Sequence, residues 1–189
     1  MRKHSPRRKP PAHQSRRATG RAGTDSVDLE GRTEATFGPP TFRTERERVS
    51  RGANCDDCQP NDCIHMTGTL RTSYTTATVV TLPTVDPDLP ACQRVRLQRA
   101  IRTVLAPHEQ QHVRAFKTYS GVTNRPFQLT ACRAAIEAER DTLTQQMVND
   151  EDAERQNKAR EKSAALDPFV AHVDLDCTDP PPRRGTRRP

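Results

Sequence analysis

His108-Glu109-Gln110-Gln111-His112 sits inside a stretch of helical period, and its reading decides the fold. Val104, His108, His112, Ala115 and Tyr119 recur at three- and four-residue spacing and form one stripe, closed by Ser120-Gly121 as a stop signal. On a helix, the two histidines of this HExxH pentapeptide share a face. Two neutral imidazoles so placed can hold one Zn²⁺. Glu109, between them, can take a proton from an activated water and return it to a leaving amine. The plainer reading is a pair of surface histidines on an amphipathic helix.

Upstream, Val95, Leu97, Ala100, Ile101, Val104 and Leu105 continue the helical period back to Ala91. Pro107 either opens a new helix or kinks a continuous one, because it lacks a backbone donor. Before that, residues 63–82 are rich in Thr, Val and Tyr and read as two strands paired antiparallel, with Gly68 as a turn and Pro83 to Pro90 as a proline-rich connection. Downstream, Leu129, Cys132, Ile136, Leu143 and Met147 mark a second long helix from about Gln128 to Lys162, nearly all polar beyond Gln146. The expected fold is α+β and mostly helical, zincin-like, with a small antiparallel sheet packed on the HExxH helix and a second long helix beside it.

The net charge of +7 comes from the ends of the chain. All eight Lys/Arg of residues 1–24 precede the first acidic residue, Asp25, and four more Arg lie in 183–188. Residues 25–178 carry about −4. Composition therefore predicts unstructured basic tails over 1–50 and 178–189 around a metallopeptidase-like domain at 51–177. The tails imply at most weak, non-specific binding of polyanions, and two Tyr, five Phe and no Trp supply a poor base-stacking surface. No apolar run follows Met1-Arg2-Lys3 to make a readable signal peptide, and no stretch approaches a membrane span. Six cysteines nevertheless favour an oxidising or extracellular destination over a cytoplasmic one.

Those cysteines are Cys55, Cys58, Cys63, Cys92, Cys132 and Cys177. An even count suggests disulfides, whose pairing the sequence does not choose. Cys55, Cys58, Cys63 and His65 also have the spacing of a small zinc site, and free thiols are the third reading. Cys177, so near the end, could be tethered to the Cys55–Cys63 cluster or to Cys92.

A catalytic zinc needs a third protein ligand. The metzincin arrangement is excluded, since Ala115 and Thr118 stand where its glycine and third histidine would be. A gluzincin arrangement would use Glu139, in the gap of the second helix's stripe; His172 is the other candidate. Several elements occur in a telling order: Val79-Val80-Thr81-Leu82-Pro83, the HExxH helix, Cys132, a long polar helix, and Asp167 five residues before His172. Together they resemble a bacterial family of secreted zinc-dependent proteases over roughly residues 63–176. The resemblance implies His172 as third ligand and Asp167 as a ligand or an outer partner of one. Here Leu166 replaces the family's Tyr, and Val173 its Gly.

The expected function is a zinc-dependent peptidase acting on peptide or protein substrates, with His108, His112 and His172 on Zn²⁺ and Glu109 as base. The alternative is a non-catalytic module, stabilised by metal or disulfides, whose basic arms dock on an anionic partner.

Overall fold

The structure, a computed structural model, describes residues 26–59 and 61–178. Seven strands and a set of helices follow in the order β1 (Ser26–Leu29), β2 (Arg32–Phe37), β3 (Thr41–Arg51), β4 (Cys63–Tyr74), β5 (Thr76–Thr81), α1 (Ala91–Ala100), a π-helical turn (Ile101–Leu105), α2 (Ala106–Lys117), β6 (Gly121–Cys132), α3 (Ile136–Ala164) and β7 (Ala171–Asp174). Helix and strand each take 37% of the described residues, so the fold is α+β but not mostly helical. All strand pairs of β1–β7 and of β3–β4–β6 are antiparallel. No helix among the described residues is long and apolar enough to cross a membrane.

The described residues divide into two compact units: 26–32 with Thr81–Pro107 and 170–178, and Thr33–Val80 with His108–Phe169. In the first, β1 pairs with β7, and Leu29, Leu97, Leu105, Ala171, Val173 and Leu175 are buried. Gln93 and Arg96 of α1 donate to the carbonyls of Leu175 and Asp174, and Cys92 is bonded to Cys177.

In the second unit β4 is central, with β3 and β6 on its two sides. Alternation sends Ile64, Met66 and Leu70 of β4 and Phe127, Leu129 and Ala131 of β6 to one face, where Ile136, Leu143, Met147 and Val148 of α3 cover them. Tyr74, Tyr119, Ala159 and Phe37 form a second cluster. The Tyr119 hydroxyl donates to Asp152 Oδ1 at 2.7 Å, and the Arg155 guanidinium lies 4.6 Å over the Tyr74 ring. The polar half of α3 is laced by pairs four residues apart, among them Glu151–Arg155 and Glu154–Lys158.

Several expectations are corrected. Residues 26–50, assigned to an unstructured tail, contribute β1, β2 and most of β3. Their sparse apolar residues hid this, because β3 is exposed on both faces and owes its conformation to pairing with β4. The remaining tail residues, 1–25 and 179–189, lie outside the described ones. The two strands of 63–82 do not pair with each other: β5 joins β2, and β4 joins β3 and β6. Gly68 is no turn. It stays in β4 because a Cβ there would come within 2.5 Å of the Phe127 ring.

Residues 128–132 are strand and not the start of the second helix, since Phe127, Leu129 and Ala131 alternate into the core while α3 begins only at Ile136. The core face of β3–β4–β6 is covered by α3, while the motif helix meets the β2–β5 sheet through Thr33 and Phe37 of β2, against Glu109 and Phe116. In place of a small zinc site with His65 or of free thiols, all six cysteines are in disulfides in this structure. Cys55 is bonded to Cys63, and Cys58 to Cys132. His65 Nδ1 instead meets Thr130 Oγ1 at 2.8 Å.

Candidate metal centre

Ala91–Lys117 is one helical run with a wider turn in its middle. In an uninterrupted α-helix, Pro107 would lose the bond to the Thr103 carbonyl and press its ring on that oxygen. The run instead widens just ahead of it, with the Ala106 N–H donating to the Ile101 carbonyl across a π turn. The extra residue also corrects the helix phase. Leu97 and Leu105 are eight residues apart, about 80° out of register on an α-helix. With one residue absorbed by the bulge they fall close to two full turns apart, and both are fully buried. Val104, assigned to the inward stripe, is displaced outward and is exposed.

From this run α2 delivers His108, Glu109 and His112, all buried. The Nε2 atoms of the two histidines are 3.0 Å apart, and their rings stand nearly perpendicular at 81°. Asp167, just past the end of α3, brings Oδ1 to 3.5 Å from His112 Nε2. His108, His112 and Asp167 each offer a ligand atom, all within 4.8 Å of one another, and they are the group of this kind found among the described residues. Asp167 is more than half exposed, so the group has two buried corners and one facing solvent.

The surrounding side chains fix the donors. Ser163 Oγ, on the last turn of α3, lies 2.7 Å from His112 Nδ1. With the proton on Nδ1 donated to that oxygen, Nε2 presents its lone pair to the other two donors. Phe169 stacks on His108 at 3.8 Å between ring centroids and 16° between planes. The Thr33 hydroxyl of β2 donates to Glu109 Oε2 at 2.6 Å and lies 3.3 Å from the Glu109 carbonyl oxygen. One carboxylate oxygen of the buried Glu109 is thereby held in place.

The other candidate third ligands have partners of their own or face solvent. Glu139 is exposed in the first turn of α3. His172 is on β7 directly opposite Asp28 of β1, and its Nδ1 is 2.7 Å from Asp28 Oδ1. It is not among the three residues that gather. Thr33, Ser163 and Phe169 went unread in the sequence. Only Ser163 left a trace, four residues after Ala159, as a small residue recurring in a charged run. No protein-family model, curated protein or solved structure matches this chain, so the resemblance to secreted zinc-dependent proteases gains no support from them.

Proposed function

We propose that this protein is a zinc-dependent peptidase whose metal is held by His108, His112 and Asp167, with Glu109 as general base and then acid. The observation that carries the reading is the pair of buried Nε2 atoms 3.0 Å apart with a carboxylate oxygen at 3.5 Å. Nitrogens bound about 2.0–2.1 Å from one zinc are separated by roughly 3–3.5 Å, so the His108–His112 and His112–Asp167 pairs match a filled site, with all three donors within 4.8 Å of one another. Three protein ligands leave a coordination position for water or substrate, as hydrolysis requires.

Zinc bound there would polarise the substrate carbonyl and lower the pKa of water toward neutrality. The chain's own residues do the rest. Thr33 holds Glu109 Oε2, which leaves Oε1 as the oxygen we assign to proton transfer, first from water and then to the departing amine. Ser163 orients the His112 ring and can accept the Nδ1 proton of the tautomer that offers Nε2 inward. Phe169 covers one face of His108 and keeps water from it. Two histidines and a carboxylate also suit ferrous iron. A buried glutamate between the histidines favours zinc, since hydrolysis uses a base there and oxygen chemistry does not.

The test is elemental analysis of the purified full chain together with a peptide-cleavage assay of Glu109→Gln. About one zinc per chain, retained in the variant while cleavage is lost, is the expected result. A variant with undiminished cleavage, or a wild-type chain that takes up no zinc, overturns the reading. Zinc with no cleavage in either form returns the non-catalytic module.

A further inference from the structure

Four of the six cysteines converge at one end of the β3–β4–β6 sheet, on the face opposite α3. Cys63 and Cys132 are direct partners in the β4–β6 ladder and so point to the same side, about 4.5–5.5 Å apart at Cα. Cys55 and Cys58 form a turn closed by the Cys58 N–H donating to the Cys55 carbonyl at 3.1 Å, which keeps their Cα atoms within about 7 Å. The disulfides supply the other two sides of this quadrilateral, with Cα separations of 5.6 Å for Cys55–Cys63 and 5.3 Å for Cys58–Cys132. Each of the four thus neighbours two others.

We infer that Cys55, Cys58, Cys63 and Cys132 form a thiol-gated metal site, two disulfides when oxidised and one tetrathiolate Zn²⁺ site when reduced. Sulfurs bound about 2.3 Å from one zinc are about 3.8 Å apart, a tetrahedron that side chains on such a quadrilateral can build without moving the strands. Cys-x2-Cys is moreover a spacing found in closed structural zinc sites, and four thiolates are one of their ligand sets. The chemistry balances with a dithiol as reductant. Each disulfide takes two electrons and two protons from one dithiol, which becomes a disulfide, and Zn²⁺ then displaces four protons from the four thiols. The resulting centre carries two negative charges. Asp56, Asp57 and Asp62 oppose it, while Arg51 at the end of β3 and Arg133 just after β6 reach that loop, at Asn61 and, at 3.3 Å, Asp62, and offset the charge. This site is independent of His108 and His112 and stands or falls apart from the peptidase reading.

The test uses the full chain, reduced under argon with a water-soluble phosphine that ends as its oxide, then titrated with Co²⁺. The expected result is one Co²⁺ with thiolate-to-metal charge-transfer and tetrahedral d–d bands, displaced by Zn²⁺. With zinc bound, a thiol reagent should find two reactive thiols, Cys92 and Cys177, of the six in the chain. Cobalt on the histidine site gives no sulfur charge transfer, so the two centres are told apart. Cys92→Ser/Cys177→Ser should keep the signature and leave no reactive thiol. Absence of sulfur bands overturns the inference. So does their persistence in Cys58→Ser/Cys132→Ser, and so does a reduced chain that loses its sheet signal and does not regain it on adding metal.

Discussion

Ser163 Oγ lies 2.7 Å from His112 Nδ1, joining residues 51 positions apart in the chain. A hydroxyl in that place orients an imidazole ligand, and loss of such an outer partner typically weakens metal binding by about 10–100-fold. Ser163→Ala should lower zinc affinity by that factor in a chelator competition, and Ser163→Thr should restore most of it. Unchanged affinity in the alanine variant would remove Ser163 from the site.

Asp167 and His172 make opposite predictions. Asp167→Ala should reduce zinc affinity by more than about a hundredfold, beyond what an outer partner accounts for. His172→Ala and Glu139→Ala should each leave it within about twofold, roughly 0.4 kcal/mol. Zinc retained by Asp167→Ala and lost by His172→Ala would reverse the assignment.

Thr33→Val removes the hydroxyl that donates to the buried Glu109 carboxylate. Leaving a buried acceptor short of a partner costs about 1–3 kcal/mol, which urea unfolding can read directly. In a Glu109→Gln background the same substitution should cost less, because a neutral amide demands less of the lost donor. Equal costs in both backgrounds would show that Thr33 supports packing and not the carboxylate.

Alkaline pH probes the tyrosine cluster. Burial first, and then the Glu151 carboxylate, raise the Tyr74 hydroxyl from 10.0 to about 12. Burial and the hydrogen bond to Asp152 push Tyr119 upward as well. A raised pKa means the folded chain holds its proton after the unfolded chain has released it, so unfolding gains in favour as pH rises. The contribution of Tyr74 should be constant below about pH 10 and be lost between about 10 and 12. Tyr74→Phe should flatten part of that slope in urea titrations; an unchanged slope would contradict it.

The motif helix was legible because its residues answer to one period, with His108, His112, Ala115 and Tyr119 turning inward together. Strand β4 was legible from its Thr and Tyr content, and the tether of Cys177 to Cys92 was one of two pairings considered. What failed were segments whose state is set by partners. Strand β3, Thr41–Arg51, has no buried face to alternate and takes its shape from β4. Residues 128–132 carry Leu129 and Cys132 at helical spacing, and only the Phe127–Leu129–Ala131 alternation, seen against β4, decides for strand. The site divided the same way. His108, Glu109 and His112 are local in sequence. Thr33 and Ser163 act through single hydroxyls brought in from afar, which no spacing announces.

Strand β4 must wait for β6, which follows the whole motif helix, and the site waits longer still. Thr33 reaches Glu109 across 76 positions and Ser163 reaches His112 across 51. Contacts this distant make for slow folding, because loop closure is unfavourable until the ends meet. During synthesis the two histidines leave the ribosome long before Ser163, Asp167 and Phe169. A nascent chain therefore carries its motif as an incomplete ligand set, and the centre is completed only when the last turn of α3 arrives. Until then the buried pair of His108 and His112 lacks both the carboxylate of Asp167 and the hydroxyl of Ser163.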